Sequence, residues 1–361
     1  MNSEKKISFI NPLISALALL VVFIVLELAT RVIKGEYAFV NFAEQNINIL
    51  KSSYPCQYDS HLGWIPQEGY SGDKNSWGKT VTILKNGIRS NGTGKAEEAS
   101  GPVSILAVGD SFTFGADVSD GETWPALLEK ISGKRVVNGG VFAYGLDQIF
   151  LRAGQLVRVY NPDILILSFI ADDVLRCRQS KRHGVAKPYI ELSGDRLVTK
   201  NIPVPILPAE KDGLWLARKI FGYSAFLHYA MKTAFPDHWL QEKWGDDEAY
   251  SQDQAVSTGY LMFRYLRAMI PTDRLKHIIV LVQYTHDTNL DELSIVDAVL
   301  SGIDDKTIQV VDLAVPFFGI IKTNPEVLDA FFYGRRGHMT LEGNNFVAHQ
   351  LHKALSEAGV L

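Results

Sequence analysis

Val103-Ser104-Ile105-Leu106-Ala107-Val108-Gly109-Asp110-Ser111-Phe112-Thr113-Phe114-Gly115 runs from a short apolar segment into a glycine-bounded turn. A short apolar run that ends in glycine reads as a buried parallel strand. Active sites of open α/β sheets lie beyond the carboxyl ends of such strands. Ser111 therefore falls at a sheet rim and near a helix start. There a hydroxyl meets a general base, and N–H groups of a turn or helix N-terminus stabilise an oxyanion. Gly-Asp-Ser is also an ordinary turn sequence, so the tripeptide gains meaning only from the blocks downstream of it in the chain.

Three such blocks come in order. Val136-Val137-Asn138-Gly139-Gly140-Val141-Phe142-Ala143-Tyr144-Gly145 continues a second strand; residues 164–170 run into Ala171-Asp172-Asp173; Gly337-His338-Met339-Thr340 lies near the C-terminus. Tyr58-Asp59 and Leu62-Gly63-Trp64 precede them all. In this order the blocks resemble the SGNH hydrolases, also called GDSL-like esterases and lipases, and the lead-in resembles that of their membrane-anchored bacterial envelope members. The resemblance covers about residues 57–361. It implies a three-layer α/β/α, flavodoxin-like domain with a parallel sheet. It further implies Ser111 as nucleophile, His338 as base, and Ser111, Ala143 and Asp172 as the oxyanion positions.

Three positions depart from that pattern. Ala143 stands where the family has glycine, and its N–H serves equally well if alanine tolerates the local backbone angles. Asp172 replaces an asparagine whose amide donates; an ionised aspartate only accepts, so Asp172 must be protonated, displaced or otherwise employed. Arg335 and Arg336 occupy the stretch where an aspartate normally precedes the histidine. Asp329 is then the substitute orienting acid, with Asp312 a weaker one, and a Ser–His dyad oriented by a backbone carbonyl stays open.

Charges of both signs are interspersed over 361 residues, with a net charge of −4 and a pI near 6.2. This leaves no basic footprint, which excludes a nucleic-acid partner. The two cysteines, Cys56 and Cys177, have no zinc-like spacing, and nothing in the sequence asks for a metal or another cofactor. In an oxidising compartment they pair or remain free buried thiols; both readings stand. The remaining histidines also lack metal-like spacing.

Residues 7–26 are nearly continuous apolar sequence, enough to cross a bilayer with roughly 20 residues. Lys5 and Lys6 precede them, so the positive-inside rule favours a cytoplasmic N-terminus and an extracytoplasmic remainder, periplasmic in a Gram-negative cell. A cleaved signal peptide is the rival, but small residues at a cleavage spacing are scarce around Leu28-Ala29-Thr30. The chain then divides into a tip and anchor (1–30), an accessory segment and linker (31–100), and a catalytic-type domain (101–361) carrying an insertion (175–250). Trp64, Tyr70 and Trp77 read as a small core ahead of a sugar-stacking surface. The insertion reads first as packed on the sheet edge, then as a lid over Ser111 or a membrane-grazing helix. His286 and Asp287 line the pocket or, preferably, cap a helix.

The expected function is a membrane-anchored, extracytoplasmic serine esterase or acyltransferase. Its expected substrates are O-acyl groups, acetyl foremost, of an envelope polysaccharide, a glycoconjugate or another ester. The alternative is a degenerate domain that binds a glycan or joins polysaccharide-assembly machinery. Convergence of Ser111 Oγ with a His338 ring nitrogen separates the two.

Overall fold

Short apolar runs alternating with amphipathic helices build a layered α/β architecture. The computed structural model describes residues 12–34, 37, 39, 41–43, 55–74, 79–92, 103–182, 185–194, 196–205, 213–235, 239, 251–270, 275–335 and 337–361. Trp77, the 95–101 linker and residues 7–11 of the apolar run lie outside them.

Helix α1 spans Pro12–Lys34. Strands β1 (Cys56–Asp59) and β2 (Gly63–Pro66) form an antiparallel hairpin. A meander follows: β3 (Ser71–Lys74), β4 (Lys79–Leu84) and β5 (Ile88–Arg89). Next come β6 (Ile105–Val108), α2 (Ser111–Phe114), α3 (Trp124–Ser132), β7 (Val136–Asn138), α4 (Leu146–Tyr160), β8 (Ile164–Phe169) and α5 (Ala171–Arg176). The insertion holds β9 (Lys181–Arg182), β10 (Val185–Ala186), β11 (Tyr189–Ser193), β12 (Arg196–Lys200), α6 (Trp215–Phe221) and α7 (Ala225–Ala234). Finally come α8 (Gln252–Arg264), α9 (Leu266–Met269), β13 (His277–Val282), α10 (Leu290–Leu300), β14 (Ile308–Asp312), α11 (Ala314–Thr323), α12 (Val327–Phe331) and α13 (Leu341–Glu357).

One eight-stranded sheet organises these elements in the order β14-β13-β8-β6-β7-β5-β4-β3. Its strands from β14 to β7 are parallel, and every residue of β6 and β8 is buried, as a strand covered on both faces requires. Because parallel crossovers are right-handed as a rule, a sheet whose strand order reverses beside β6 receives helices on both sides. Helix α3 packs on α13 in one layer, while α4 meets α8 through Phe150 and Phe263, and α8 packs on α10 in the other. The sheet does not stop at its parallel part. Arg89 of β5 pairs antiparallel with Asn138, so the meander from the 31–100 segment covers the edge of β7 that a purely parallel sheet would leave open.

In chain order the five parallel strands are arranged 2-1-3-4-5, and the order reverses between β6 and β8. Such a reversal leaves a crevice at the carboxyl ends of the two strands. Ser111 follows β6 and Ala171-Asp172-Asp173 follows β8, so both blocks open onto it.

Trp64 is core: its ring is buried edge-on to Tyr144, and its indole N–H donates to the carbonyl of Phe142 at 3.1 Å. Cys56 and Cys177 are not joined as a disulfide. At the N-terminal end, Ile14–Lys34 forms a 21-residue helical stretch of mean hydropathy 2.5, long and apolar enough to cross a bilayer by length and composition.

The insertion is tied to the domain by a buried charge pair. Lys187 Nζ meets Asp147 on α4 with both side chains at 0% exposure, and it also donates to the carbonyls of Arg176 at 3.1 Å and Gln179 at 2.9 Å. Burial pushes the Asp147 carboxyl up to about 6 even against the adjacent ammonium. Removing one partner of a buried pair leaves an uncompensated charge and costs about 3–5 kcal/mol. Lys187→Met is therefore expected to lower unfolding stability by about that amount, and Asp147→Asn/Lys187→Met by less, as read from denaturant unfolding of the full chain in detergent.

Candidate active site

Two glycines allow the crevice to close around the serine. A Cβ on Gly109 would stand 2.1 Å from Thr113 Oγ1 and 2.7 Å from the Ser168 carbonyl, and one on Gly140 would stand 2.4 Å from the Phe114 nitrogen. With hydrogen in both places, the turn after β6 presses against β8 and the loop after β7. Asp110 then caps α2 by accepting from Phe112 N at 2.9 Å, and Ser111 becomes its first residue. Asn138 locks the neighbouring loop: its amide donates to Thr113 O at 2.9 Å while its carbonyl accepts from Gly140 N at 3.1 Å.

Helix α2 ends at Gly115, which takes the left-handed conformation at φ 76°. The chain turns there into a loop carrying Asp117. That loop is held from below by Arg89, a fully buried guanidinium. It pairs with Asp120 at 2.8 Å, donates to the carbonyls of Val118 at 2.9 Å and Gly115 at 3.4 Å, and lies over the Phe114 ring. On the opposite side, His338 sits between α12 and α13. A bridge pairs Phe332 with Met339, Thr340 caps α13, and Asn344 of α13 accepts from Trp124 N at 2.9 Å, which fixes this end against α3.

These supports bring three side chains into line. His338 Nε2 stands 3.0 Å from Ser111 Oγ, and His338 Nδ1 stands 3.0 Å from Asp117 Oδ2. The His338 backbone N–H also reaches Asp117 Oδ2 at 3.3 Å, so the carboxylate grips both ring and main chain. A carboxylate on Nδ1 holds the proton there and leaves Nε2 free to accept from the serine hydroxyl.

Asp117, and not Asp329, is thus the acid beside His338. The Asp329 side chain is 88% exposed and comes only within 3.9 Å of His286 Nε2. Asp312 is engaged elsewhere, accepting from Tyr284 Oη at 2.7 Å and Ala314 N at 2.8 Å. Asp117 is separated from His338 by 221 positions in the chain. The signal for it was proximity to the nucleophile: it lies just past Gly115, on the same rim as Ser111.

Asp172 is also corrected. It pairs with Arg176 one helical turn away, and that guanidinium, opposed by partial burial and helped by Arg182, holds its carboxyl below the usual range. An ionised carboxylate has no proton to donate to an oxyanion. Arg176 takes the charge on. Its other arm reaches Asp173 at 2.8 Å and the Tyr144 carbonyl at 3.1 Å. Against the burial that would depress it, Asp172, Asp173 and Asp110 keep Arg176 firmly protonated. Burial in turn pushes the carboxyls of Asp110 and Asp173 up, and the charge of Asp110 adds to the rise at Asp173.

Ala143 does adopt the left-handed region, at φ 61°, which costs an alanine about 1–2 kcal/mol. It is half-buried and lies outside the pocket lining, unlike Ser111 and Asp172. Ser111 N opens α2, where first-turn N–H groups lack intrahelical acceptors.

The pocket over these groups has a volume of about 400 Å³. Besides Ser111 and His338, its wall includes Asp172, Arg176, Gln283, Thr285, Glu292 and Arg335. Asp287 lines it too and is joined to Arg335 at 3.2 Å, while Asn289 rather than Asp287 caps α10. Burial raises the Glu292 carboxyl, helped by the charges of Asp172 and Asp287. Arg176, at the start of the insertion, lines the pocket, and among the described residues of 177–250 none does, so no described part of that stretch forms a lid over the serine.

No family model and no curated protein matches the chain. Among solved structures it is similar to a G-D-S-L family lipolytic protein, named as putative, from Desulfitobacterium hafniense, at 14% identity and a TM-score of 0.37, covering 70% of this chain and 99% of that one. A lipase/acylhydrolase from Enterococcus faecalis matches at 12% identity and a TM-score of 0.39, covering 71% and 96%. A catalytic mutant of an acetylxylan esterase from Geobacillus stearothermophilus matches at 17% and 0.39, covering 73% and 96%. These scores are low, and the weight falls on this chain's own topology: the 2-1-3-4-5 parallel order, a serine on the turn after the first strand, and a histidine before the last helix. With those three features in place, the chain has the layered, flavodoxin-like α/β fold that the SGNH resemblance implies.

Proposed function

We propose that the protein is a serine esterase or acyltransferase, held at a membrane by α1, that acts on small O-acyl groups of an extracytoplasmic envelope polysaccharide or glycoconjugate. The observation that carries the catalytic part is the continuous Ser111–His338–Asp117 relay at the wall of an open pocket. Ser111 Oγ attacks the acyl carbonyl carbon while His338 Nε2 takes its proton. The same proton goes to the leaving alkoxide as the C–O bond breaks, leaving an acyl-Ser111 ester. Water or a sugar hydroxyl then gives a proton to His338 and attacks that ester, which yields the free acid or a new ester and restores Ser111. The Ser111 N–H is the chain's own donor to the oxyanion, and the Arg176 charge stands in the same wall.

Pocket chemistry supports a small acyl group on a polar carrier. Carboxylates, amide, hydroxyl and guanidinium groups form most of the wall, with Phe112, Ile170, Ala171 and Tyr284 as its apolar part. Hydroxyl-rich substrates find partners in such a wall, and a long acyl chain does not. A glycan-binding role without turnover has no need to bring Ser111 Oγ within 3.0 Å of the His338 ring.

Ser111→Ala is expected to abolish hydrolysis of 4-nitrophenyl acetate and labelling by a fluorophosphonate, with the melting temperature unchanged; equal turnover by the variant would end the serine mechanism. Asp117→Asn should lower kcat by about 10³–10⁴-fold through loss of the histidine tautomer, while Asp329→Asn leaves kcat at the parent value, both read in the same assay. Asp172→Asn removes a carboxylate that Arg176 already keeps ionised across neutral and alkaline pH. It should therefore raise kcat while leaving the shape of the pH–rate profile there unchanged, because no titration is added or removed. A new limb in that profile would show that the Asp172 carboxyl titrates there.

A further inference from the structure

Helices α6 and α7 have an inner face that is accounted for and an outer face that is not. On the inner side, Ala217 of α6 and Met231 of α7 pack on the buried pair Ala43 and Trp239. On the outer side, Leu216 is 58%, Ile220 57% and Phe221 50% exposed. These residues recur at helical spacing, so they form one apolar stripe on α6.

The hairpin is attached to α1, the helix read as the membrane anchor. Helix α7 begins with N–H groups that need acceptors, and a residue of α1 supplies them. Glu27 accepts from Ala225 N at 3.1 Å, Phe226 N at 3.0 Å and Ser224 Oγ at 2.7 Å. Arg31 donates to the Tyr223 carbonyl at 2.8 Å, and Phe23 packs edge-on to Phe226. Glu27 lies seven residues before the end of α1 at Lys34, about 10 Å at 1.5 Å per residue. One headgroup layer is about 5–7 Å deep, so Glu27 lies within about one helical turn of the boundary between that layer and the hydrocarbon. The cap therefore holds the start of α7, and the α6 turn before it, at the level where α1 leaves the lipid.

Charge points the same way. Between Gly213 and Phe235 there is no aspartate or glutamate, and the charged residues are Arg218, Lys219 and Lys232. Lys219 lies over the Trp215 ring and Lys34 over the Tyr229 ring, pairing ammonium groups with aromatic residues of the kind that favour the bilayer interface. Apolar stripe, interfacial aromatics and the exposed ammonium groups of Lys219 and Lys232 together are the composition of a helix lying in the headgroup region of an anionic membrane.

We propose that the α6–α7 hairpin is a second membrane contact, with Leu216, Ile220 and Phe221 immersed in the phospholipid leaflet from which α1 emerges. It rests on the reading of α1 as an anchor. Two attachments rather than one would fix the catalytic domain's height and tilt over the bilayer, where a single helix would leave it to swivel.

The test uses the full chain with Cys56→Ser. Cys177 is left in place, since it is fully buried and burial pushes its thiol up. Single cysteines are introduced by Leu216→Cys, Ile220→Cys, Leu19→Cys on α1 and Val159→Cys on the exposed end of α4, and each is labelled with the fluorophore NBD. Each variant must hydrolyse 4-nitrophenyl acetate at the parent rate, and Phe221→Cys replaces any hairpin variant that does not. In phosphatidylcholine–phosphatidylglycerol vesicles, labels at 19, 216 and 220 are expected to lose most of their emission to doxyl-lipid and little to aqueous iodide, the reverse of the label at 159. If 216 and 220 behave like 159 while 19 stays lipid-quenched, the second contact is overturned and the anchor stands. If 19 is also iodide-accessible, both fall. Protection of 216 and 220 from iodide without doxyl quenching would place a second copy of the chain on the face and likewise overturn the proposal.

Discussion

The site depends on how closely three backbone segments approach one another at the reversal between β6 and β8. Thr113 Oγ1 and the Ser168 carbonyl leave no room for a side chain at 109, and the Phe114 nitrogen leaves none at 140. Contact at that range is what allows Val141 N to bond Gly109 O at 3.0 Å and Asn138 to reach Thr113 O. Widening it by a methyl group would shift α2, and Ser111 with it, relative to a histidine anchored on a different part of the chain. Protein interiors are packed too densely to absorb such a shift locally.

A second constraint is electrostatic. Under the pocket floor, Asp110 and Asp173 are buried around Arg176, whose other partner is the more exposed Asp172. Few buried carboxylates are tolerated without a cation and hydrogen bonds to satisfy them, and here one guanidinium serves three. The network continues outward: Arg176 offers its carbonyl to Lys187, and Lys187 meets Asp147. The insertion thereby buttresses the helix that carries Asp172 and Arg176, although among its described residues beyond Arg176 none lines the pocket. Its packing is structural at one end and, through α6 and α7, directed toward α1 at the other.

The third is the loop between Gly115 and Asp120. Its position is set by Arg89 of β5, whose strand comes from the segment before the catalytic-type region, so the meander and the acid of the relay are mechanically one unit. Asp120 also accepts from Thr82 N at 2.9 Å, joining the same loop to β4. This is the physical sense in which Thr82 of β4 and Arg89 of β5 belong to the site without touching it. They hold Asp117 where the His338 ring arrives.

The alternation of apolar runs and helices, the glycine turn with Ser111, the loop with His338 and the apolar N-terminal helix were all legible in the sequence. Each is local: strand burial, turn chemistry and helix length depend on neighbouring residues along the chain. What the sequence could not assign was the partner of His338, because a carboxylate is chosen by distance in space, and Asp329 is near in sequence yet exposed while Asp117 is remote and 3.0 Å away. The state of Asp172 was undetermined for the same reason; ionisation follows from Arg176 and burial, which only the folded chain supplies. The antiparallel extension of the sheet and the cap that Glu27 places on α7 likewise required tertiary structure, since pairing across a sheet edge and capping from a distant helix leave no periodicity to read.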